Sequence, residues 1–179
     1  MNIIIDAMGG DDAPGAVVDG CVDAVKDLDI NLTLVGKEAE VRRELDRCGY
    51  RGDKIRIVNA EEVITGDDDP TVVIRQKKDS SMRVALSMLK KGEGDAVVSA
   101  GNTGALISGA TLLIKRIKGV RRVALAPIMP TTKGCFLLVD AGANAECTPA
   151  FLKQFAIMGS IYTVSYTHLR AHETLRHLV

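Results

Sequence analysis

The chain has 179 residues, 46% hydrophobic and 26% charged, which suits one soluble domain with its own core. Lys plus Arg and Asp plus Glu are equal at 23 each, which argues against a general nucleic-acid binder because such proteins usually carry a basic excess. With no Trp, three Phe and three Tyr, the core must be aliphatic, and the interleaving of basic and aromatic residues typical of single-strand binders is missing.

Short apolar runs alternate with helical patterns along the chain. Runs that are nearly continuous in Ile, Val and Leu predict strands buried on both faces, as in a parallel sheet. The predicted strands are Asn2–Asp6, Asn31–Val35, Lys54–Val58, Asp95–Ser99, Arg122–Ala126 and Cys135–Asp140.

Helical spacing of apolar residues fills the intervals between these strands. The βαβα order predicts a three-layer α/β/α fold with a mostly parallel sheet. The small residues Ala105, Ser108, Gly109 and Ala110 predict that the helix Ala105–Ile117 packs closely on the sheet. The predicted helices are Val17–Leu28, Lys37–Cys48, Met82–Leu89 with Ser80 or Ser81 as its cap, Ala105–Ile117, and a last one beginning at Thr148-Pro149.

The irregular segment Ala60–Lys78 contains the acidic run Asp67-Asp68-Asp69 before Pro70. A charged surface connection is the simplest interpretation. A functional loop is the alternative, because irregular connections of this length are often functional.

Two glycine-rich turns each join a predicted strand to a predicted helix. In the first, Asp6-Ala7-Met8-Gly9-Gly10-Asp11, the paired glycines allow close approach of a ligand, although a plain turn with capping Asp residues explains it equally well. The second, Ser99-Ala100-Gly101-Asn102-Thr103-Gly104, offers N–H, amide and hydroxyl donors for a phosphate or an oxyanion. Its alternative is a helix capped by Asn102 or Thr103. Neither turn carries a full dinucleotide or Walker A motif.

Other polar features are less specific. Asp140-Ala141-Gly142-Ala143-Asn144 follows another predicted strand and is either a ligand loop or a plain turn. Two basic clusters are either solvated faces or docking sites for an acidic partner. They are Lys77, Lys78, Arg83, Lys90 and Lys91, and Lys115, Arg116, Lys118, Arg121 and Arg122.

The ends of the chain and the cysteines predict a cytoplasmic protein without a metal site. Met1–Asp6 has no basic region and too short an apolar run for a signal peptide, and no stretch approaches the roughly 20 apolar residues of a membrane span. The four cysteines form no C-x-x-C pair, so reduced thiols are expected. His168 and His172 have the spacing of metal ligands on a helix, but a third ligand is not evident.

Four segments follow one another in a fixed order along the chain. They are the first glycine-rich turn, the segment Lys77-Lys78-Asp79-Ser80-Ser81-Met82, the second glycine-rich turn and the Asp140–Asn144 loop. In this combination, over about Met1 to Tyr162, the sequence resembles the phosphate acyltransferase (PlsX) family, the acyl-ACP:phosphate transacylases of bacterial phospholipid synthesis. The resemblance implies a fold like that of isocitrate and isopropylmalate dehydrogenases, a homodimer, and transfer of a fatty acyl group from acyl carrier protein to inorganic phosphate. It implies no cofactor. The acyl phosphate would feed glycerol-3-phosphate acylation by a membrane-bound acyltransferase, with the full-length protein peripheral to the inner face of the membrane.

The chemistry that the resemblance implies assigns roles to residues of this chain. Phosphate is itself the nucleophile, so the protein needs anion and oxyanion donors rather than a catalytic Ser or Cys. Asn102, Thr103 and Lys78 are the predicted catalytic residues. The predicted substrate-binding residues are Asp6, Gly9, Gly10, Ser81, Arg83, Ser99, Gly101, Gly104 and Asn144.

The family continues for a comparable length after the matched part, whereas here the string from Val164 to Thr174 (VSYTHLRAHET) follows. This string resembles translated read-through of a sequencing-library adaptor. Residues 1–163 are therefore expected to be the native, truncated α/β part and 164–179 a foreign tail. Two alternatives remain open: a nicotinamide-dependent β-decarboxylating dehydrogenase, suggested by the fold relation, and an inactive fragment.

Overall fold

The computed structural model describes residues 1–174, and side chains through residue 165. The chain divides into two compact units, Met1–Lys115 and a second one that begins at Arg116.

A four-stranded parallel sheet forms the centre of the first unit. Its strands are β1 (Asn2–Asp6), β2 (Asn31–Gly36), β3 (Ile55–Asn59) and β4 (Ala96–Val98), in the spatial order β3-β2-β1-β4. The four corresponding sequence predictions are confirmed to within one residue at each end.

Helices cover both faces of this sheet, as predicted. Ile5 and Leu34 pack with the helices Gly15–Asp27 and Glu38–Arg47 on one face, while Ile4 packs with Ala85 and Met88 of the helix Ser81–Lys91 on the other. Alternate residues of buried strands point to opposite faces, so apolar runs are needed to bury both. The helices of this unit are α1 (Gly15–Asp27), α2 (Glu38–Arg47), α3 (Val73–Gln76), α4 (Ser81–Lys91) and α5 (Thr103–Gly109), which continues as a π-helix over Ala110–Ile114.

Two details of helix packing differ from the sequence predictions. A Cβ at Gly109 would lie 2.6 Å from Leu86 Cδ1 and 3.1 Å from Ile74 Cδ1, so the closest approach at this glycine is to side chains of α4 and α3 rather than to the sheet. Ser80 occupies the N-cap position of α4, but its hydroxyl donates to the Lys77 carbonyl at 2.8 Å and makes no capping bond.

The second unit contains an antiparallel hairpin, β5 (Ile128–Thr131) and β6 (Gly134–Leu137), and the helix α6 (Pro149–Thr174). The predicted strand Arg122–Ala126 is wrong. Backbone groups of this segment bond to a turn instead of a strand, because Leu125 N–H donates to Asp140 Oδ1 at 2.7 Å and the Val123 carbonyl accepts from Asn144 Nδ2 at 2.9 Å. The last predicted strand is confirmed at its start but ends at Leu137.

Helix α6 begins where the sequence predicted, and it runs without interruption past the predicted boundary at Val164. The foreign origin of residues 164–179 stays a prediction. Side chains at His168 and His172, and all of His177, lie outside the described part, so the metal-ligand spacing noted there is not tested. Among residues 1–174, no helix combines the length and hydrophobicity needed to cross a membrane.

Candidate active site

The order of the strands places both glycine-rich turns at one crevice. From β1 the chain moves outward to β2 and β3 on one side, whereas β4 pairs with the other side of β1. In open α/β sheets, ligands bind at the carboxyl ends of the strands where the strand order reverses. The turns that follow β1 and β4 flank this point of reversal.

A hydrogen-bonded network ties the two turns together. Ser99 Oγ donates to Asp6 Oδ2 at 2.7 Å, and the backbone N–H of Gly101 donates to Ser99 Oγ at 3.1 Å. Asp6 ends β1 and Ser99 follows β4, so residues 93 positions apart meet because their strands are neighbours. The carboxylate thereby fixes the position of the second glycine-rich turn.

The buried carboxylate of Asp6 is only half satisfied. Asp6 is 2% exposed, and its second oxygen, Oδ1, has no hydrogen-bond partner among residues 1–174. A buried acceptor without a donor is costly, and native proteins contain few of them. This oxygen is therefore a place where a donor from outside the described chain would be stabilising.

Close backbone packing at the network requires glycine. A Cβ at Gly9 would lie 2.7 Å from Asp6 Oδ2, 2.9 Å from the Gly101 nitrogen and 3.0 Å from Ser99 Oγ. Such distances are shorter than carbon makes with these atoms, so only a residue without a side chain fits. The neighbouring Gly10 has φ +110°, a conformation that favours glycine.

Asn102 connects the second turn to the irregular loop between β3 and α3. Its Oδ1 accepts from the Ala105 N–H at 2.9 Å, which confirms the alternative that Asn102 caps α5. Its Nδ2 donates to the carbonyls of Thr65 at 3.1 Å and Asp68 at 3.2 Å, with Gly66 at 3.4 Å. The side-chain amide of Asn102 thus holds the loop, and its role as an oxyanion donor stays a prediction.

The loop itself is held by an ion pair that sequence reasoning did not single out. Lys77 Nζ donates to Asp68 Oδ2 at 2.6 Å and to the Val63 carbonyl at 2.8 Å. Asp68 also accepts from the Thr65 backbone N–H at 2.8 Å. These bonds, led by that from Lys77, hold the pKa of the Asp68 carboxyl below its usual range. In the sequence, the length and the acidic residues of the Ala60–Lys78 segment were the features that could have indicated this ion pair.

Stability should therefore depend on Asp68 in a defined pH window. Because the pKa of Asp68 is lower in the folded than in the unfolded state, its contribution is fully present above the unfolded pKa of about 3.9 and is lost as pH falls through the folded value. We expect Asp68→Asn to lower the free energy of unfolding at pH 7, with the difference from wild type shrinking below about pH 4. Urea unfolding of both proteins between pH 7 and pH 3 measures this. A difference that stays constant over that range would contradict it.

A cavity of about 460 Å³ opens between the two turns and the loop. Its size is within the range of small-molecule sites. The N–H groups of Thr103 and Gly104, in the first turn of α5, have no hydrogen-bond acceptor among residues 1–174, as is usual where a helix begins. The lining residues are Met8, Gly10, Asp11, Val63, Ile64, Thr65, Gly66, Asp67, Ala100, Gly101 and Asn102.

The charges at this cavity are acidic rather than basic. Asp11 and Asp67 are the ionisable residues of its lining within the described part of the chain. Lys78 is exposed and is not part of the lining, while Arg83 donates to the Ile74 carbonyl. Neutralisation of phosphate by Lys78 or Arg83 accordingly stays a prediction.

The other predicted site residues take several positions. Thr103 is exposed at the first position of α5. Gly104 packs against Pro70, because a Cβ there would lie 2.8 Å from Pro70 Cβ. Ser81 is 2% exposed, and its N–H donates to the Glu62 carbonyl at 3.2 Å. Their ligand roles stay predictions.

Asn144 lies in the second unit, where it completes a turn. Its backbone and side-chain N–H groups both donate to Asp140 Oδ2 at 2.9 Å, and Asp140 Oδ1 accepts from Leu125 and Ala143. Although burial acts in the opposite direction, these bonds hold the pKa of Asp140 below its usual range. The spacing of Asp140 and Asn144 is thus explained by a turn whose polar groups hydrogen-bond to each other. A contact of Asn144 with substrate stays a prediction.

Comparison with known proteins gives a consistent set of relatives. A family model described as "Fatty acid synthesis protein" matches residues 1–174. A protein of Clostridium kluyveri named phosphate acyltransferase is 52% identical over 162 residues, which are 90% of this chain and 48% of that protein. One of the same name from Clostridium botulinum is 52% identical over 163 residues, 90% of this chain and 49% of that protein. The chain thus spans about half the length of these curated relatives.

Among solved structures, a phosphotransacetylase from Streptococcus pyogenes is similar in fold, with a TM-score of 0.66 at 18% identity. The match covers 88% of this chain and 51% of that one. At this identity the likeness concerns the fold alone, and it agrees with the three-layer α/β architecture described above.

Proposed function

The chain belongs to the family of fatty acid synthesis proteins, with relatives named phosphate acyltransferase, and on that premise we propose that it forms part of an enzyme that transfers acyl groups to inorganic phosphate. The observation that carries the proposal is the crevice where the strand order reverses, with two glycine-rich turns that line a cavity of about 460 Å³. We propose the acyl thioester of acyl carrier protein as donor, and phospholipid synthesis as the use of the product.

The reaction suits a site made of donors and backbone. An oxygen of hydrogen phosphate attacks the thioester carbonyl carbon and forms a C–O bond. The tetrahedral oxyanion then collapses, the C–S bond breaks, and the phosphate proton ends on the departing thiol. The protein has to orient the two reactants and stabilise the oxyanion, and N–H donors aimed at that oxygen supply the stabilisation.

Within this proposal, each group at the crevice has a stated task. The N–H groups of Thr103 and Gly104 directly follow the lining residue Asn102 and have no acceptor among the described residues, and we propose them as donors to phosphate or to the oxyanion. Asp6 and Ser99 position the turn that carries them. Lys78 and Arg83 are proposed to assist with phosphate charge, and Asn144 is proposed to bind substrate.

Further parts of the proposal concern the assembled protein. From the family resemblance we further propose a homodimer with a dehydrogenase-type fold relation. We also propose a cytoplasmic location at the inner face of the membrane and delivery of the product to a membrane-bound acyltransferase. The basic clusters of the chain would suit docking of an acidic carrier protein.

Release of thiol from palmitoyl carrier protein tests the proposal directly. We expect release by the 179-residue chain to depend on phosphate and to be absent when sulfate replaces it, because sulfate is a tetrahedral anion of matched shape but a much weaker nucleophile. Detection of acyl phosphate as hydroxamate provides the second readout. Release that ignores phosphate, or that requires NAD and a divalent metal, would contradict the proposal. The absence of any release would favour the alternative of an inactive fragment.

A further inference from the structure

A second cavity, of about 500 Å³, lies along α1 on the face of the sheet formed by β1 and the edge strand β4. We call it the α1 groove. Its volume falls in the range of small-molecule sites. Apolar side chains dominate its lining, among them Ile3, Val17, Cys21, Ala24, Leu28 and Val98. Leu28 and Val98 are each more than half exposed, so this apolar surface is open in the first unit.

Gly20 keeps the middle of the α1 groove open. It lies inside α1, where glycine is less favourable than alanine by about 1 kcal/mol. Neither backbone conformation nor crowding requires it, because a Cβ at this position would meet no atom of the described chain within 4 Å and its φ is not positive. The missing side chain therefore leaves free volume in the groove, which is lined by Gly20 itself.

One end of the α1 groove reaches the candidate active site. Ala100 lines both the groove and the cavity of about 460 Å³ at the candidate active site, which we call the polar cavity. The two spaces therefore share a wall in the second glycine-rich turn. Asp6 and Ser99 also line this end, and Asp6 is the buried carboxylate whose Oδ1 has no partner. The groove is thus apolar along α1 and polar where it meets the site.

We propose that the α1 groove binds the fatty acyl chain of the donor, with the carbonyl end at Ala100 and the methyl end toward Leu28. This inference rests on the proposed function and adds to it the location and the chain-length class of the acyl group. The distance along α1 from Ala16 to Leu28 is about 18 Å at 1.5 Å per residue, which suits a long chain rather than an acetyl group. Along α1 the lining of the groove is apolar, so this part of the groove selects the chain by its buried length.

Binding of saturated fatty acids of increasing length to the 179-residue chain tests the proposal, measured by displacement of a fluorescent fatty-acid probe. We expect affinity to rise about fourfold for each added methylene until the groove is filled. A palmitic acid probe with a diazirine at its methyl end should cross-link to α1, at residues such as Cys21 or Ala24. Affinity that is independent of chain length, or cross-links confined to other elements, would overturn the proposal.

Gly20→Leu fills the groove from a position where nothing in the chain obstructs the new side chain. We expect palmitate affinity to fall roughly 50-fold, the equivalent of about three displaced methylenes, with butyrate affinity unchanged. Asp23→Leu is the matched control, because Asp23 is exposed on the same helix and is not part of the groove lining. Unchanged palmitate affinity in Gly20→Leu would overturn the proposal. So would the loss of a dimer in sedimentation without loss of binding, since the groove would then be an interface between two copies.

Failure of this inference can be told apart from failure of the proposed function. If thiol release depends on phosphate but Gly20→Leu handles palmitoyl and butyryl donors like wild type, only the acyl location is wrong. If palmitate cross-links to α1 and the length dependence is present while thiol release does not depend on phosphate, the groove assignment stands and the transfer reaction is wrong.

Discussion

Asn102→Ala is expected to lower the rate of phosphate-dependent thiol release about 100-fold, the usual scale for losing one donor at an oxyanion site. Two effects contribute: the proposed donation from Nδ2 to the oxyanion is lost, and so are the bonds from Nδ2 to the carbonyls of Thr65 and Asp68 in the loop that lines the cavity. The same substitution removes the cap of α5, at a cost of about 1 kcal/mol in the free energy of unfolding. Steady-state rates and urea unfolding measure the two effects.

Asn102→Asp separates the cap from the donor. Its carboxylate still accepts from the Ala105 N–H, and Asp caps helices about as well as Asn, so the cap contribution of about 1 kcal/mol should be regained while the bonds to the loop carbonyls stay lost. It has no N–H to donate, so the rate should stay as low as in Asn102→Ala. Faster amide exchange at residues 65–68 in both variants would assign the effect to the loop. A wild-type rate in Asn102→Asp would remove the Nδ2 donor from the mechanism.

Gly9→Ala is expected to destabilise the first unit by about 3 kcal/mol and to abolish measurable transfer. The new Cβ would press on Asp6 Oδ2 and on the backbone of Gly101, and the backbone cannot move aside as a flexible side chain would. Any shift that relieves the contact lengthens the bond from Ser99 to Asp6. Since Asp6 Oδ1 already has no partner, the buried carboxylate would then have none at either oxygen among the described residues.

Gly20→Ala provides the control for this prediction, because it is the same chemical change at a glycine with open space around it. It should leave stability unchanged or raise it by up to about 1 kcal/mol. The double variant Gly9→Ala with Ser99→Ala tests the cause, since removal of the hydroxyl takes away one of the crowded atoms. Gly9→Ala should cost less in that background. A single Gly9→Ala variant within about 0.5 kcal/mol of wild type would contradict the packing argument.

Local sequence signals predicted the elements of the first unit well. Continuous aliphatic runs gave β1 and β2 because both faces of these strands are covered by helices, and helical spacing gave α1 and α2. The glycine-rich turns were recognisable because they connect a buried strand to a helix. The same reasoning was wrong at Arg122–Ala126, where an aliphatic run bonds to the Asp140–Asn144 turn and forms no strand.

Roles of individual side chains were harder to predict. Lys77 and Lys78 are adjacent, and the sequence pointed to Lys78, yet the chain turns Lys77 toward Asp68 and leaves Lys78 exposed. Asn102 was equally suited to cap a helix and to bind an anion. Its partners are carbonyls more than thirty residues earlier in the chain, and no local pattern encodes such a distance.

By itself, the sequence determined the α/β class, the strands and helices of the first unit, and the two glycine-rich turns of the candidate site, since these depend on local periodicity and on glycine. The tertiary structure alone decided that β4 pairs with β1, which brings Ser99 to Asp6 and joins the polar cavity to the α1 groove. The reason is physical: hydrophobic burial is non-directional, so apolar runs specify that strands form but not which of them become neighbours.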